Sequence, residues 1–140
     1  MVRVLLAALL LMSFCAGCDQ GGGVTRCAVE GKVTLDGAPV EEGSIAFIPT
    51  GGTEGPTAGG QIQNGQYSVP SAKGPVVGRY RVEIRAPRKT GKMIQNPMAE
   101  PGTMVEEIAE GAPAKYNSES TLEEEIKAGK NVIDFELTSQ

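Results

Sequence analysis

The stretch VEGKVTLDGAPVEEGSIAFIP, residues Val29 to Pro49, decides the reading of this chain. In its first half Val29, Val33 and Leu35 fall on one side, with Gly31 between them, and Glu30, Lys32, Thr34 and Asp36 fall on the other. A strand alternates its side chains with a period of two, so the pattern predicts one buried and one wetted face. Asp36-Gly37 tolerates positive φ, and Pro39 restricts the chain that follows. A second strand is expected over Ser44–Pro49, carrying Ile45, Phe47 and Ile48, and the two strands read as an opening hairpin. Pro49 and Gly51-Gly52 end it.

Downstream the same period continues. Gly51–Pro56 reads as a surface loop, since it lacks the Gly-Lys-Ser/Thr and following helix of a phosphate-binding loop. A weak strand over Thr57–Ile62 leads to Asn64-Gly65, a strong signal for a two-residue type I′ turn. Gln66–Val69 continues it, with Tyr67 and Val69 on one side, and Pro70 stops it. Gly78–Ala86 is the best strand, with Tyr80, Val82, Ile84 and Ala86 on one face and Arg79, Arg81, Glu83 and Arg85 on the other. Those arginines read either as an anion site or, more simply, as a solvated face paired with carboxylates on a neighbouring strand. Residues 120–130 are ambiguous: Ser120 and Glu123 match a helix capping box, whereas Leu122–Lys127 reads as a strand with Glu124 awkwardly on its apolar face. The strand is taken. Val132–Thr138 closes the set, with Ile133, Phe135 and Leu137 inward. About seven strands predict an all-β fold, a single two-layer β-sandwich.

Pro87 to Pro113 is the longest irregular stretch, and loops beyond ~12–15 residues are usually functional or disordered. It is expected as one long loop insertion, with a short helical turn at Met104, Val105 and Ile108. It is basic at Arg88, Lys89 and Lys92 and acidic at Glu106, Glu107 and Glu110. On loop length it ranks first as an interaction surface, together with Lys115, Tyr116 and Asn117.

Several of these pieces carry a resemblance. Gly31-Lys32-Val33-Thr34, Asp36-Gly37-Ala38-Pro39-Val40, Gly43-Ser44-Ile45-Ala46-Phe47, Gly65-Gln66-Tyr67 and Gly78-Arg79-Tyr80-Arg81-Val82 resemble the carboxypeptidase regulatory-like domains, which are transthyretin-like β-sandwiches. The chain is also similar to small bacterial lipoproteins of that class that end on a segment like Pro113-Ala114-Lys115-Tyr116-Asn117 and a final strand. The resemblance covers roughly Val29 to Leu137 and rests on structural glycines and alternating apolar residues. It implies a transthyretin-like or immunoglobulin-like sandwich.

Composition narrows the chemistry. The 140 residues include 19 glycines and nine prolines, which suits a loop-rich β-protein of one domain. With no Trp and few other aromatics, the core is expected to be mostly Val, Ile and Leu. A net charge of −4 argues against a nucleic-acid partner, which leaves a basic footprint. There is no histidine, which removes His-based triads and most zinc, copper and non-haem iron sites. It also excludes the hydroxyisourate hydrolase and intradiol dioxygenase chemistries found on transthyretin-like folds. No catalytic group, cofactor or metal site is expected.

The first residues read as an address. Met1-Val2-Arg3 is a positive start, and the eleven-residue apolar run from Val4 to Phe14 suits a signal peptide but is too short for a spanning helix of ~20 residues. Cys15-Ala16-Gly17-Cys18 resembles a lipobox, although Cys15 stands where Leu is usual. Cleavage is expected after Gly17, with lipid on Cys18. The expected organisation is thus a lipoprotein signal peptide over 1–17, the lipidated cysteine and a flexible tether over 18–27, and the sandwich over 28–140. Only Cys27 then remains as a free thiol, expected as a small buried hydrophobe. The reading is of a non-enzymatic envelope lipoprotein, lipid-anchored to a membrane and facing outside the cytoplasm. It would bind an envelope protein or serve a structural role. The alternative is carbohydrate binding, for which Tyr116 is the main exposed-ring candidate.

Overall fold

The computed structural model describes residues 24–140. It is all-β. The strands are β1 (Ala28–Leu35), β2 (Ala38–Pro39), β3 (Glu42–Thr50), β4 (Ala58–Gln63), β5 (Gln66–Val69), β6 (Gly78–Arg85), β7 (Pro87–Gln95), β8 (Met104–Glu110), β9 (Glu123–Ile126), β10 (Lys130–Val132) and β11 (Phe135–Leu137). The main sheet runs β10-β1-β5-β4-β3-β6-β9, with β2 and β11 also on β1, and β7 and β8 form a separate pair. The main path has seven positions, the expected number for a sandwich. It curls so that β1 and β5 face β3 and β6 across a shared apolar interior.

Alternation explains the interior. Val29 and Val33 of β1, Ile45 and Phe47 of β3, Tyr67 and Val69 of β5, and Tyr80, Val82 and Ile84 of β6 are all buried. The core is mostly Val, Ile and Leu, as composition suggested, and its four rings are joined. Phe135, Tyr67, Phe47 and Tyr80 form a chain of rings through it, with successive centroids 6.2, 6.2 and 6.4 Å apart. Edge-on and tilted geometries of this kind add to what burial alone contributes. Both buried phenols find partners: Tyr67 donates to the Ile133 carbonyl at 2.8 Å, and Tyr80 accepts from the Val76 amide at 3.0 Å.

Three expectations need correction. Val29–Asp36 and Ser44–Pro49 do not form an opening hairpin. β1 turns back only into the two-residue β2 and otherwise pairs with β5, whereas β3 pairs with β4 and β6. Asp36-Gly37 (φ 52° and 82°) makes a tight turn, but the chain then crosses to the far part of the sheet. The final strand breaks in two at Ile133-Asp134, and both halves lie parallel to β1. The insertion at 87–113 is present, yet it is a β-ribbon rather than an irregular loop, and Met104, Val105 and Ile108 lie in a strand, not a helical turn. The reading of Cys27 as a small buried hydrophobe holds, since it is 1% exposed and belongs to the core. Elsewhere the reading holds: Asn64-Gly65 has φ of 50° and 73°, as a type I′ turn requires, and the 120–130 segment is a strand at Glu123–Ile126.

Topology defines two poles. Arg26 bridges Val76, and β1 and β6 both start near there, with Gly78 opposite Ile126. β1 and β6 then run their eight residues, about 26 Å at strand rise, to a second pole. Leu35, the Asn64-Gly65 turn, Arg85 and the root of β7 gather there.

Candidate functional site

The ribbon is rooted where Ala86 leaves β6. Its root is held by Glu110, whose Oε1 accepts from the amides of Ala86 at 2.8 Å and Ala112 at 3.0 Å. Beyond that root nearly every β7 residue is exposed, and β8 is little better covered. No residue between Pro87 and Gly111 belongs to the core. The register pairs Pro87 with Glu110, Lys89 with Ile108, Met93 with Glu106 and Gln95 with Met104, with an irregularity between Lys89 and Met93.

The basic residues singled out from the sequence are thereby placed. Lys89 lies 3.4 Å from Glu106 and Lys92 3.5 Å from Glu107, so the two lysines pair with the acidic strand beside them. Both ion pairs are exposed and contribute ~0–1 kcal/mol each. Thr90 and the Gly91 amide bind the same two carboxylates. Arg88 packs its stem near Gly111 and lines an open cleft of about 910 Å³ with Leu35, Pro39, Glu42 and Asn64.

Lys115, Tyr116 and Asn117 do a different job. Ala114–Tyr116 form a short 3₁₀ turn after Pro113, and Asn117 caps its end. Asn117 is buried, and its amide donates to the carbonyls of Ala112 and Pro113 at 3.1 and 3.2 Å. Its Oδ1 accepts from the Ser118 amide at 2.7 Å. The Tyr116 hydroxyl accepts from the Thr138 amide and shares a bond with the Thr138 hydroxyl, and these bonds hold its pKa below the usual phenol value. Lys115 sits 5.0 Å from the centre of the Tyr116 ring and donates to the Gln140 carbonyl. This trio clamps the C-terminal residues. A sugar would find one face of its main candidate ring already under a cation.

The two groups of candidates do converge on one pole. Asp36 accepts from the Ser139 amide at 2.9 Å, which lowers its pKa, with smaller help from Arg88 and Lys115. Cys18 and the cleavage position after Gly17 lie outside the described residues. The arginine face is only set beside its expected carboxylates, with no ion pair to the neighbouring strand among the described residues. The register sets Arg79 opposite Glu125 and Arg81 opposite Glu123, and Arg81 bonds Glu83 at 2.6 Å on its own strand. A second groove, about 760 Å³, lies over β1, β5 and β4, lined by Lys32, Gln61, Gln63, Gln66, Ser68 and Asp134. Sequence reading missed it, although alternation puts all these polar residues outward. Among the described residues no group of three or more His, Cys, Asp or Glu side chains is placed to hold a metal, and no helix is long and apolar enough to cross a membrane.

The class defined so far is an all-β sandwich bearing a two-stranded ribbon at one pole. Comparison with protein-family models, curated proteins and solved structures finds no match.

Proposed function

We propose that this chain is a non-enzymatic lipoprotein of the cell envelope, built on a carboxypeptidase regulatory-like sandwich, that holds its ribbon out as a protein-interaction element. One observation carries this reading: the ribbon is rooted at the pole opposite Arg26–Cys27, where the tether enters. A tether of eight residues, Asp19 to Arg26, reaches at most ~28 Å. A domain anchored through Cys18 would thus keep its first pole near the membrane and turn the ribbon away from it. The ribbon contributes nothing to the core, so its length and exposure are unexplained by folding alone.

Lysine-directed crosslinking of the full-length protein in its own membranes, read by mass spectrometry, tests this. Reproducible links from Lys89 or Lys92 to a protein neighbour are expected, with few from Lys73, which lies at the tethered pole. Links spread evenly over all lysines would sink the idea. The groove of glutamine amides over β4 and β5 favours one second reading, carbohydrate binding, since amides both donate to and accept from sugar hydroxyls. A glycan array with the full chain in detergent, and with Gln63→Ala as control, would separate it from the first.

A further inference from the structure

The pole where Arg26 bridges Val76 gathers four segments of the chain. The register brings Ala28 beside Lys130, Val29 beside Val69, Thr50 beside Arg79 and Gly78 beside Ile126. Residues 24–27 therefore meet the loops 51–57, 70–77 and 127–129 at one end of the sandwich. Arg26, Lys73, Lys127 and Lys130 are exposed there. Of these only Lys130 has an ion pair among the described residues, 2.7 Å from Glu30. Glu54 is the one acidic residue in the four segments, and Arg79 is matched by Glu125 opposite it. The pole is thus positive on a chain whose net charge is −4.

These charges stand on fixed backbone. Arg26 donates to the Gly74 carbonyl at 3.1 Å. Asn131 holds the turn that carries Lys127: its Oδ1 accepts from the Lys127 amide and its amide donates to the Lys127 carbonyl, each at 2.9 Å. The same amide reaches the Ala28 carbonyl at 3.3 Å, which ties the turn to β1. Val24 and Val77, both more than half exposed, stand within two residues of the Arg26–Val76 bridge. Cations mixed with outward apolar side chains suit a surface of phosphates over acyl chains.

We infer that this pole binds the anionic headgroups of the membrane in which the chain is anchored. The inference rests on the lipid-anchor reading and adds a second contact to it. Only Asp19 to Gly23 stand between Cys18 and Val24. That stretch reaches at most about 20 Å, two to three screening lengths of ~8 Å. The anchor thus brings the pole to the range over which headgroup charge acts. Asp19, beside Cys18 in sequence, offsets one charge and leaves the balance positive. Each Lys or Arg near an anionic surface strengthens binding about fivefold. With the pole on the lipid, the ribbon points away from it.

The test uses the full-length protein with a fluorophore on Ala128→Cys or, separately, on Met98→Cys at the ribbon tip. Both positions are exposed, and Cys27 is buried and does not compete. Each labelled protein is placed in vesicles of phosphatidylcholine, alone or with phosphatidylglycerol, that carry an energy acceptor on their headgroups. The ratio of contacting to lifted pole, read from Ala128→Cys, should be about fivefold higher with phosphatidylglycerol and fall back in high salt. Transfer from Met98→Cys should stay low throughout. Lys73→Glu with Lys127→Glu should abolish the rise, and Lys73→Arg with Lys127→Arg should keep it. Mass spectrometry of the same samples reads the lipid on Cys18. Lipidated protein whose Ala128→Cys transfer is equal in both vesicles, or is matched by Met98→Cys, overturns the contact and leaves the anchor. Protein without lipid on Cys18 overturns the anchor. The contact then stands only if that protein sediments with the mixed vesicles and not with the neutral ones, and it falls otherwise.

Discussion

Gly31 is the residue where the two ends of the chain cross. A Cβ built there would lie 1.8 Å from the Ile133 carbonyl oxygen, which also accepts from Tyr67. Beside it the Lys32 amide donates to Asp134 at 2.7 Å, and Ile133 donates to the Glu30 carbonyl. The chain can pass over β1 only because position 31 has no side chain. Gly31→Ala should therefore cost about 3 kcal/mol or more, the upper range for overpacking, read as a lower urea midpoint. A change under ~0.5 kcal/mol, the level of an ordinary surface substitution, would contradict the crossing. Glu124 is the other telling residue. It stands opposite Tyr80 on the inward side of the edge strand, and partial burial raises its pKa. The folded state then holds a proton that the unfolded state releases. Stability from this group is fully present below the unfolded value of 4.5 and is lost as pH rises through the higher folded value. Glu124→Gln should accordingly raise the urea midpoint at pH 7 and leave it unchanged at pH 3.5. Equal effects at both pH values would show that burial of its charge is not the cause.

At the scale of elements, β9 and the ribbon solve opposite problems. β9 is the last strand of the main path, and an exposed strand edge invites pairing with other chains. Glu123, Glu124 and Glu125 put three carboxylates on that edge, which makes it a poor template. The ribbon is longer and carries apolar residues outward, so it is left available. Because it lies outside the core, it should be separable from the fold. Pro87 faces Glu110 directly in the register, so residues 88–109 can be replaced by Asn-Gly as a two-residue turn. The shortened protein should unfold cooperatively within about 1 kcal/mol of the parent. A larger loss would place the ribbon within the sandwich's own stability.

At the scale of the whole molecule, the proposed lipid anchor at Cys18 makes its own prediction. With Cys18→Ser the protein should leave the membrane fraction and keep its urea midpoint, since the tether precedes the first core residue, Cys27. Retention in membranes would remove the lipid anchor from the argument. Much of this architecture was legible from residue order. Period-two alternation marked β1, β3, β5, β6 and β11, because burying one face of a strand is a local pattern, and Asn64-Gly65 marked its turn, because positive φ is a local demand. Beyond the β4–β5 hairpin, pairing was not legible. That β1 takes β5 and β10 as neighbours, and not β3, depends on which apolar faces meet after the chain curls. The ribbon was hidden because alternating charges and methionines without a buried face give no strand signal. Asn117 was taken for a surface residue because its carbonyl partners exist only once the turn has formed. The sequence by itself determined the strands of the sandwich core, the tight turns and the absence of histidine chemistry, all set by side-chain type and spacing. Only the tertiary structure decided the strand order, the crossing at Gly31 and the opposition of Arg26 and the ribbon, because each depends on contacts between residues far apart in the chain.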